Sequence, residues 1–401
     1  MIELSPVATE WLSLVARWVH VTAAMAWIGS SFYFMQTDMK LVPGPHLPEG
    51  VQGEAWQVHG GNFWNMTKYA VAPARIPSNF TWYIWESRVT WLSGFALLVV
   101  VYYMQADLFL IDKSVMDLSP ARAALFSLIS LAVVWFIYDG LCRSPLGRHE
   151  VALAVIVYLF LVVLAYAFSQ VLSGRAAVNQ VGAIVGTFMV ANAFTVIHPS
   201  QRKNVAALLQ GKPADGVLVR KARQRSIHNN YLTLPVILLM ISNHYPLLYA
   251  TRYNWLIVAI VLALGPIIRH FFNSRNAGKG SPWWTWAVTT GGMLAILYLS
   301  SLGARAEEAL GTPAANFARA QEIVSTRCSM CHAREPVWPG LAGPGKNIIL
   351  DDPEMVRKHE TLIGIVAVRS NAMPPGNVTE MTIEERQALR AWLGERGLSR
   401  P

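Results

Sequence analysis

One pair of cysteines stands at a spacing that does covalent chemistry. Cys328-Ser329-Met330-Cys331-His332 has the C-x-x-C-H form by which a c-type haem is attached. The two thiols would add to the porphyrin vinyl groups, and His332 would bind the iron from one face. A sixth ligand has to come from a distant loop. Met373, in Asn371-Ala372-Met373-Pro374-Pro375-Gly376, stands in such a loop. Thioether ligation raises a haem potential, which suits an electron acceptor. Met330, Met355 and Met381 are rivals that lack the proline-rich surroundings. A zinc site and a redox dithiol are the other readings of the pair. Zinc wants further Cys ligands, and only Cys142 remains, far away in sequence.

Other chemistry lies in apolar surroundings. An ionisable side chain inside a membrane-length apolar segment is a functional candidate by default. His20 lies about 12 Å into the first such segment. His244 lies near the end of the sixth, at a similar depth. The two could ligate a second, b-type haem between helices, or simply bond to carbonyls. Arg223-Gln-Arg-Ser-Ile-His228-Asn229-Asn230-Tyr231 enters the sixth segment dense with polar groups. Paired amides with Arg and His can hold a planar, multiply hydrogen-bonding anion. Helix capping with headgroup contacts is the plainer reading. Cys142 reads as an inert buried thiol.

These groups need elements to hold them. The chain has 401 residues, is 53% hydrophobic and only 14% charged. Soluble domains carry about 25% charged residues, so the composition points to a bilayer. It excludes disordered, collagenous and disulfide-built chains. The net charge of +9 falls in the apolar part, which marks cytoplasmic loops rather than a nucleic-acid face. Eight segments reach the roughly 20 apolar residues that a crossing needs. They are 12–34, 89–106, 123–141, 151–172, 176–197, 231–249, 255–272 and 283–302. The expected fold is all-α: an eight-span bundle over 1–302, a linker at 303–313, and a small class I cytochrome c domain over 314–401.

Connections 142–150, 199–230 and 273–282 are basic and alternate with acidic or neutral ones. The positive-inside rule then puts both termini outside the cytoplasm, in the periplasm of a bacterium, with the bundle in the inner membrane. A haem c domain belongs on that side too. The connection 35–88 holds aromatics around Gly60-Gly61, a hairpin signal. Its tryptophans could lie on the membrane interface or form a lid. In the last domain, 314–326 reads as an amphipathic helix with Phe317 and Ile323 inward. A second helix reads over 382–395, with Thr382 as N-cap and Leu389 and Trp392 on one face.

Trp27-Ile28-Gly29-Ser30-Ser31-Phe32-Tyr33-Phe34, the hairpin at 53–69, Trp91-Leu92-Ser93-Gly94-Phe95, His228-Asn229-Asn230-Tyr231 and Ser242-Asn243-His244-Tyr245-Pro246 resemble the membrane-bound bacterial urate oxidase (urate hydroxylase) family. The resemblance covers essentially the whole chain. It implies an eight-span domain joined to a cytochrome c, and oxidation of urate with water to 5-hydroxyisourate. Electrons would leave singly through haem rather than directly to oxygen, to a downstream cytochrome or terminal oxidase. The residues singled out for catalysis are Arg225, His228, Asn229, Asn230 and Tyr231, with His228 as base. Arg17-Trp18-Val19-His20 is similar to a wider group of membrane haem proteins that includes the membrane protoporphyrinogen oxidase type. That match favours His20 over His244 as a haem b ligand. The rival functions are a quinol-to-cytochrome electron-transfer protein, a permease-like bundle with a redox sensor, and a plain membrane anchor.

Overall fold

The computed structural model describes residues 5–73, 75–76, 79–302 and 317–394. The expected linker 303–313 lies outside them, as does the start of the helix expected over 314–326. The chain is mostly helical, with one two-stranded sheet among the described residues.

Helix α1 (Pro6–Met39) starts from a Ser5 cap, whose hydroxyl accepts from the Ala8 N–H, with proline in its first turn. Its 34 residues extend about 51 Å, more than a bilayer core. Beyond it, β1 (Val51–His59) pairs antiparallel with β2 (Asn62–Tyr69) around Gly60 and Gly61. Both glycines have positive φ, 62° and 78°, which a tight hairpin turn demands. The hairpin is tied to the end of α1. Gln57 donates to Thr37 Oγ1 at 3.1 Å, and Lys68 meets Asp38 at 2.9 Å. Trp56, Phe63 and Trp64 stay exposed.

Then come α2 (Trp85–Leu97), α3 (Pro120–Arg143), α4 (Glu150–Ser169), α5 (Gly174–Asn192) and α6 (His198–Leu209). They are followed by α7 (Gly216–Ile241), α8 (Asn254–Asn276) and α9 (Trp284–Ser301). Helix α3 shows why they assemble. Ala123, Ser127, Leu131, Val134, Tyr138 and Cys142 recur at helical spacing and are buried. Leu125, Ile129, Val133 and Phe136 form a second apolar stripe that is left exposed. A helix apolar on both faces suits a core on one side and hydrocarbon on the other.

Among the described residues, five helices are long and apolar enough to cross a membrane: Pro6–Met39, Pro120–Arg143, Glu150–Ser169, Gly174–Leu209 and Asn254–Asn276. The other three expected segments form helices of a different kind. The segment 89–106 belongs to α2, which passes into a π-helical turn at Leu98–Tyr103. The segment 231–249 is only the second half of α7, whose first half carries Arg220, Lys221, Arg223 and Arg225. It then breaks at Ser242–His244. Helix α9 interleaves its apolar residues with Thr289, Thr290, Gly291 and Gly292.

The centre is α5, which is buried along most of its length between α3, α4, α7 and α8. Helices α7 and α8 touch where Pro235 meets Gly265. A Cβ at Gly265 would lie 2.2 Å from Pro235 Cδ, so only glycine fits there.

The C-terminal unit is a separate small core. Helix α10 (Phe317–Arg327) crosses α12 (Ile383–Gly394), with the Phe317 and Trp392 rings 5.7 Å apart. Ile323, Val324, Leu389 and Leu393 fill the crossing. Between them lies α11 (Pro353–Lys358). Thr382 and Glu385 cap α12 reciprocally: Glu385 N–H donates to Thr382 Oγ1 at 3.3 Å, and Thr382 N–H donates to Glu385 Oε2 at 2.8 Å. Glu385 also receives Arg327 from α10, at 3.0 Å. That pair fixes the two helices to each other.

Candidate functional site

The Cys328 and Cys331 thiols are free and sit in the turn that follows α10. His332 ends this turn. Its Nδ1 donates to the Ile348 carbonyl at 3.0 Å, because a carbonyl can only accept. The other ring nitrogen, Nε2, therefore keeps its lone pair for a ligand, with the ring held in place. A Cβ on Gly345 would come within 3.1 Å of the same ring, so glycine leaves the imidazole its space. Burial pushes the Cys328 thiol up to about 12, an environment hostile to a thiolate but not to a neutral thioether. Met373 is half-buried against the domain core. Its backbone is held at both ends: N–H to the Val366 carbonyl at 2.9 Å, and carbonyl from Arg386 Nη1 at 3.0 Å. Two thiols, an oriented imidazole and a positioned thioether are the donor set that could hold a c-type haem.

A second polar group is buried between α3, α5 and α7. Arg225 is 3% exposed. It gives Nη2 to Asp139 Oδ1 at 2.6 Å and Nη1 to Asn192 Oδ1 at 3.0 Å. Asn192 Nδ2 donates onward to the Tyr138 hydroxyl at 3.0 Å and to Asn229 Oδ1 at 2.9 Å. The Tyr138 hydroxyl is also hydrogen-bonded to His228 Nδ1 at 2.8 Å. Asn229 Nδ2 closes the group on the Met189 carbonyl at 2.9 Å. Cys142 Sγ lies 4.0 Å from His228 Nδ1. Asp139 also takes Arg143 at 2.6 Å, so one carboxylate serves two guanidiniums. Arg225, His228 and Asn229 are thus brought together.

Asn230 and Tyr231 are not part of that group. Successive helix positions point about 100° apart, so Asn230 turns toward α8. Its Oδ1 accepts from Asn273 Nδ2 at 2.9 Å and from Arg269 Nε at 3.4 Å. Its Nδ2 is buried without a partner. The Arg269 guanidinium lies 3.9 Å over the Phe32 ring. Tyr231 is partly buried.

His20 donates from Nδ1 to the Thr90 carbonyl at 2.8 Å, leaving Nε2 free in the same way as His332. A Cβ on Gly94 would meet the His20 ring at 2.8 Å. His244 keeps other company: the charges of Arg17, Arg175 and Lys346 reach it.

Tyr138, Asp139, Asn192, Arg17 and Arg175 were missed from the sequence. Asp139 and Arg17 carried a usable signal, an ionisable side chain inside an apolar run. Tyr138 and Asn192 carried none, because both types recur harmlessly in such helices.

A family model described as urate oxidase N-terminal matches residues 6–300. No curated protein and no solved structure matches the chain.

Proposed function

Because the chain belongs to the urate oxidase N-terminal family, we propose that it oxidises urate to 5-hydroxyisourate in a membrane and delivers the electrons to its own C-terminal domain. The match over 6–300 carries this reading. The Cys328, Cys331, His332 and Met373 donor set, beyond the matched region, says where electrons would go. In the reaction, the urate monoanion and one water give 5-hydroxyisourate, two electrons and one proton. A C–O bond forms at C5, and no oxygen molecule is consumed.

Cys328 and Cys331 would hold a haem c through thioethers, with His332 and Met373 on its iron. When bound, that group supplies a one-electron acceptor of raised potential. The chain's own part is to bind and orient urate and to dispose of the proton. His20, with Nδ1 committed to Thr90, is the residue we would assign to a haem b. The closed network around Arg225 has its donors and acceptors mutually matched. We therefore assign Arg225, His228 and Asn229 to holding α3, α5 and α7 at one depth.

The five apolar helices are read as crossing a bilayer, and α2, the second half of α7 and α9 as completing eight crossings. Basic connections 142–150, 199–230 and 273–282 would face the cytoplasm, and the C-terminal domain the opposite side. The test is turnover under argon with a soluble one-electron acceptor. One urate should be lost for every two acceptors reduced, with no hydrogen peroxide in a parallel run in air. Peroxide equal to urate consumed, or turnover of a quinol but not of urate, would overturn the reading.

A further inference from the structure

Arg175 stands at the start of α5, at the end of the bundle that meets the C-terminal domain. Its guanidinium lies 4.2 Å over the Phe109 ring and 5.9 Å from that of Tyr102. Its Nε is buried and has no hydrogen-bond partner. Arg17, from α1, is close enough for its charge and that of Arg175 to act on each other. His244 and Lys346 complete a group of four basic side chains. Neither Arg17 nor Arg175 forms an ion pair among the described residues.

This grouping is unfavourable as it stands. Like charges repel, and a half-buried guanidinium with an unused N–H loses hydration without recovering it. A bound anion removes both penalties. The contrast with Arg225 is direct: that cation has Asp139, and this pair has no carboxylate. Asp112 is the acid nearest the same opening, and it is occupied by the Ser114 N–H and hydroxyl at 2.9 and 2.6 Å.

Shape agrees with charge. Of the four basic side chains, Arg175 is the one that lines a cavity of about 550 Å³ between the bundle and the C-terminal domain. Met373 lines the same cavity. Tyr102 and Asn243 bond to each other beside the arginine, and Asn243 Nδ2 donates to Asn179 Oδ1 at 3.0 Å. Phe109 lines the cavity with its ring against the guanidinium, whose edge gives a planar fork.

We propose that Arg17 and Arg175, with His244 and Lys346, form the subsite that binds the urate monoanion at the junction of the two domains. This rests on the urate reading above. It deepens that reading by placing the substrate beside the methionine that would ligate the acceptor, with no long electron path through the bundle.

The test is binding rather than turnover. The purified full chain, reduced beforehand with dithionite so that it cannot oxidise urate, is titrated with 14C-urate by equilibrium dialysis. Arg175→Gln and Arg17→Gln should each weaken binding about tenfold or more, the loss of a charge-assisted hydrogen bond. Arg175→Lys, which keeps the charge and loses the fork, should fall between. Haem content and melting temperature should match the parent protein in all three. Unchanged urate affinity in the folded glutamine variants would overturn the subsite. So would loss of a haem band with urate affinity retained, which would mean that the cations serve haem carboxylates. A parent protein that neither binds nor oxidises urate would instead overturn the functional reading itself.

Discussion

Arg225 illustrates what a single buried residue demands of the rest of the chain. With Asp139 and Asn192 it is satisfied; without Asp139 it is a cation in apolar surroundings. Asp139→Asn should lower stability by about 3 kcal/mol, the scale for removing one partner of a buried pair. Thermal unfolding in detergent measures it, and an unchanged melting temperature would show the pair to be dispensable. At this scale the sequence was half legible. Arg225, His228 and Asn229 stand out because polar residues entering an apolar run are conspicuous. Their partners lie 33 to 90 positions away: Asp139 shows as an acid in an apolar run, but no local pattern announces Tyr138 or Asn192. Asn230 was grouped with Asn229 by adjacency, which in a helix places two side chains on different faces. Arg17 was legible in principle. It lies in an apolar run, but its partner in charge, Arg175, comes from another helix.

Among the elements, those with a strong period were readable. Helices α3 and α4 are apolar on every side, and α12 carries the Thr382–Glu385 cap in its sequence. Gly60-Gly61 gave away the hairpin by the positive φ that such turns require. The π-helical turn at Leu98–Tyr103 was not readable, since Leu-Val-Val-Val-Tyr-Tyr suits an α-helix equally well. Nor was the long polar start of α7, because Arg and Lys in a row read as a loop. The Pro235–Gly265 contact tests how α7 and α8 are joined. Gly265→Ala should destabilise the bundle by about 1–3 kcal/mol through overpacking. A melting temperature equal to that of the parent would mean that the two helices separate freely at this point.

In the whole molecule, the two domains meet through the loop that carries Met373. Asn371 N–H donates to the Ala250 carbonyl at 3.2 Å, and Lys113 approaches Glu380 at 3.6 Å. A Cβ on Gly376 would fall 2.3 Å from the Ile111 carbonyl oxygen. Gly376→Ala should therefore loosen the docking, seen as faster hydrogen exchange over 106–111 and 371–377. Gly340→Ala is the control, with a similar positive φ and open space around it. Equal exchange in both variants would show that the contact does not hold the domains. None of this interface was legible in the sequence, which marked the two units but not the surfaces that join them. The central claim is that urate electrons reach the C-terminal domain of this same chain. Its most direct test is an anaerobic optical spectrum of the purified protein before and after adding urate, with a pyridine haemochrome count. The account predicts a c-type band that urate alone reduces. A c-type band that dithionite reduces and urate does not, or no c-type band at all, would contradict it.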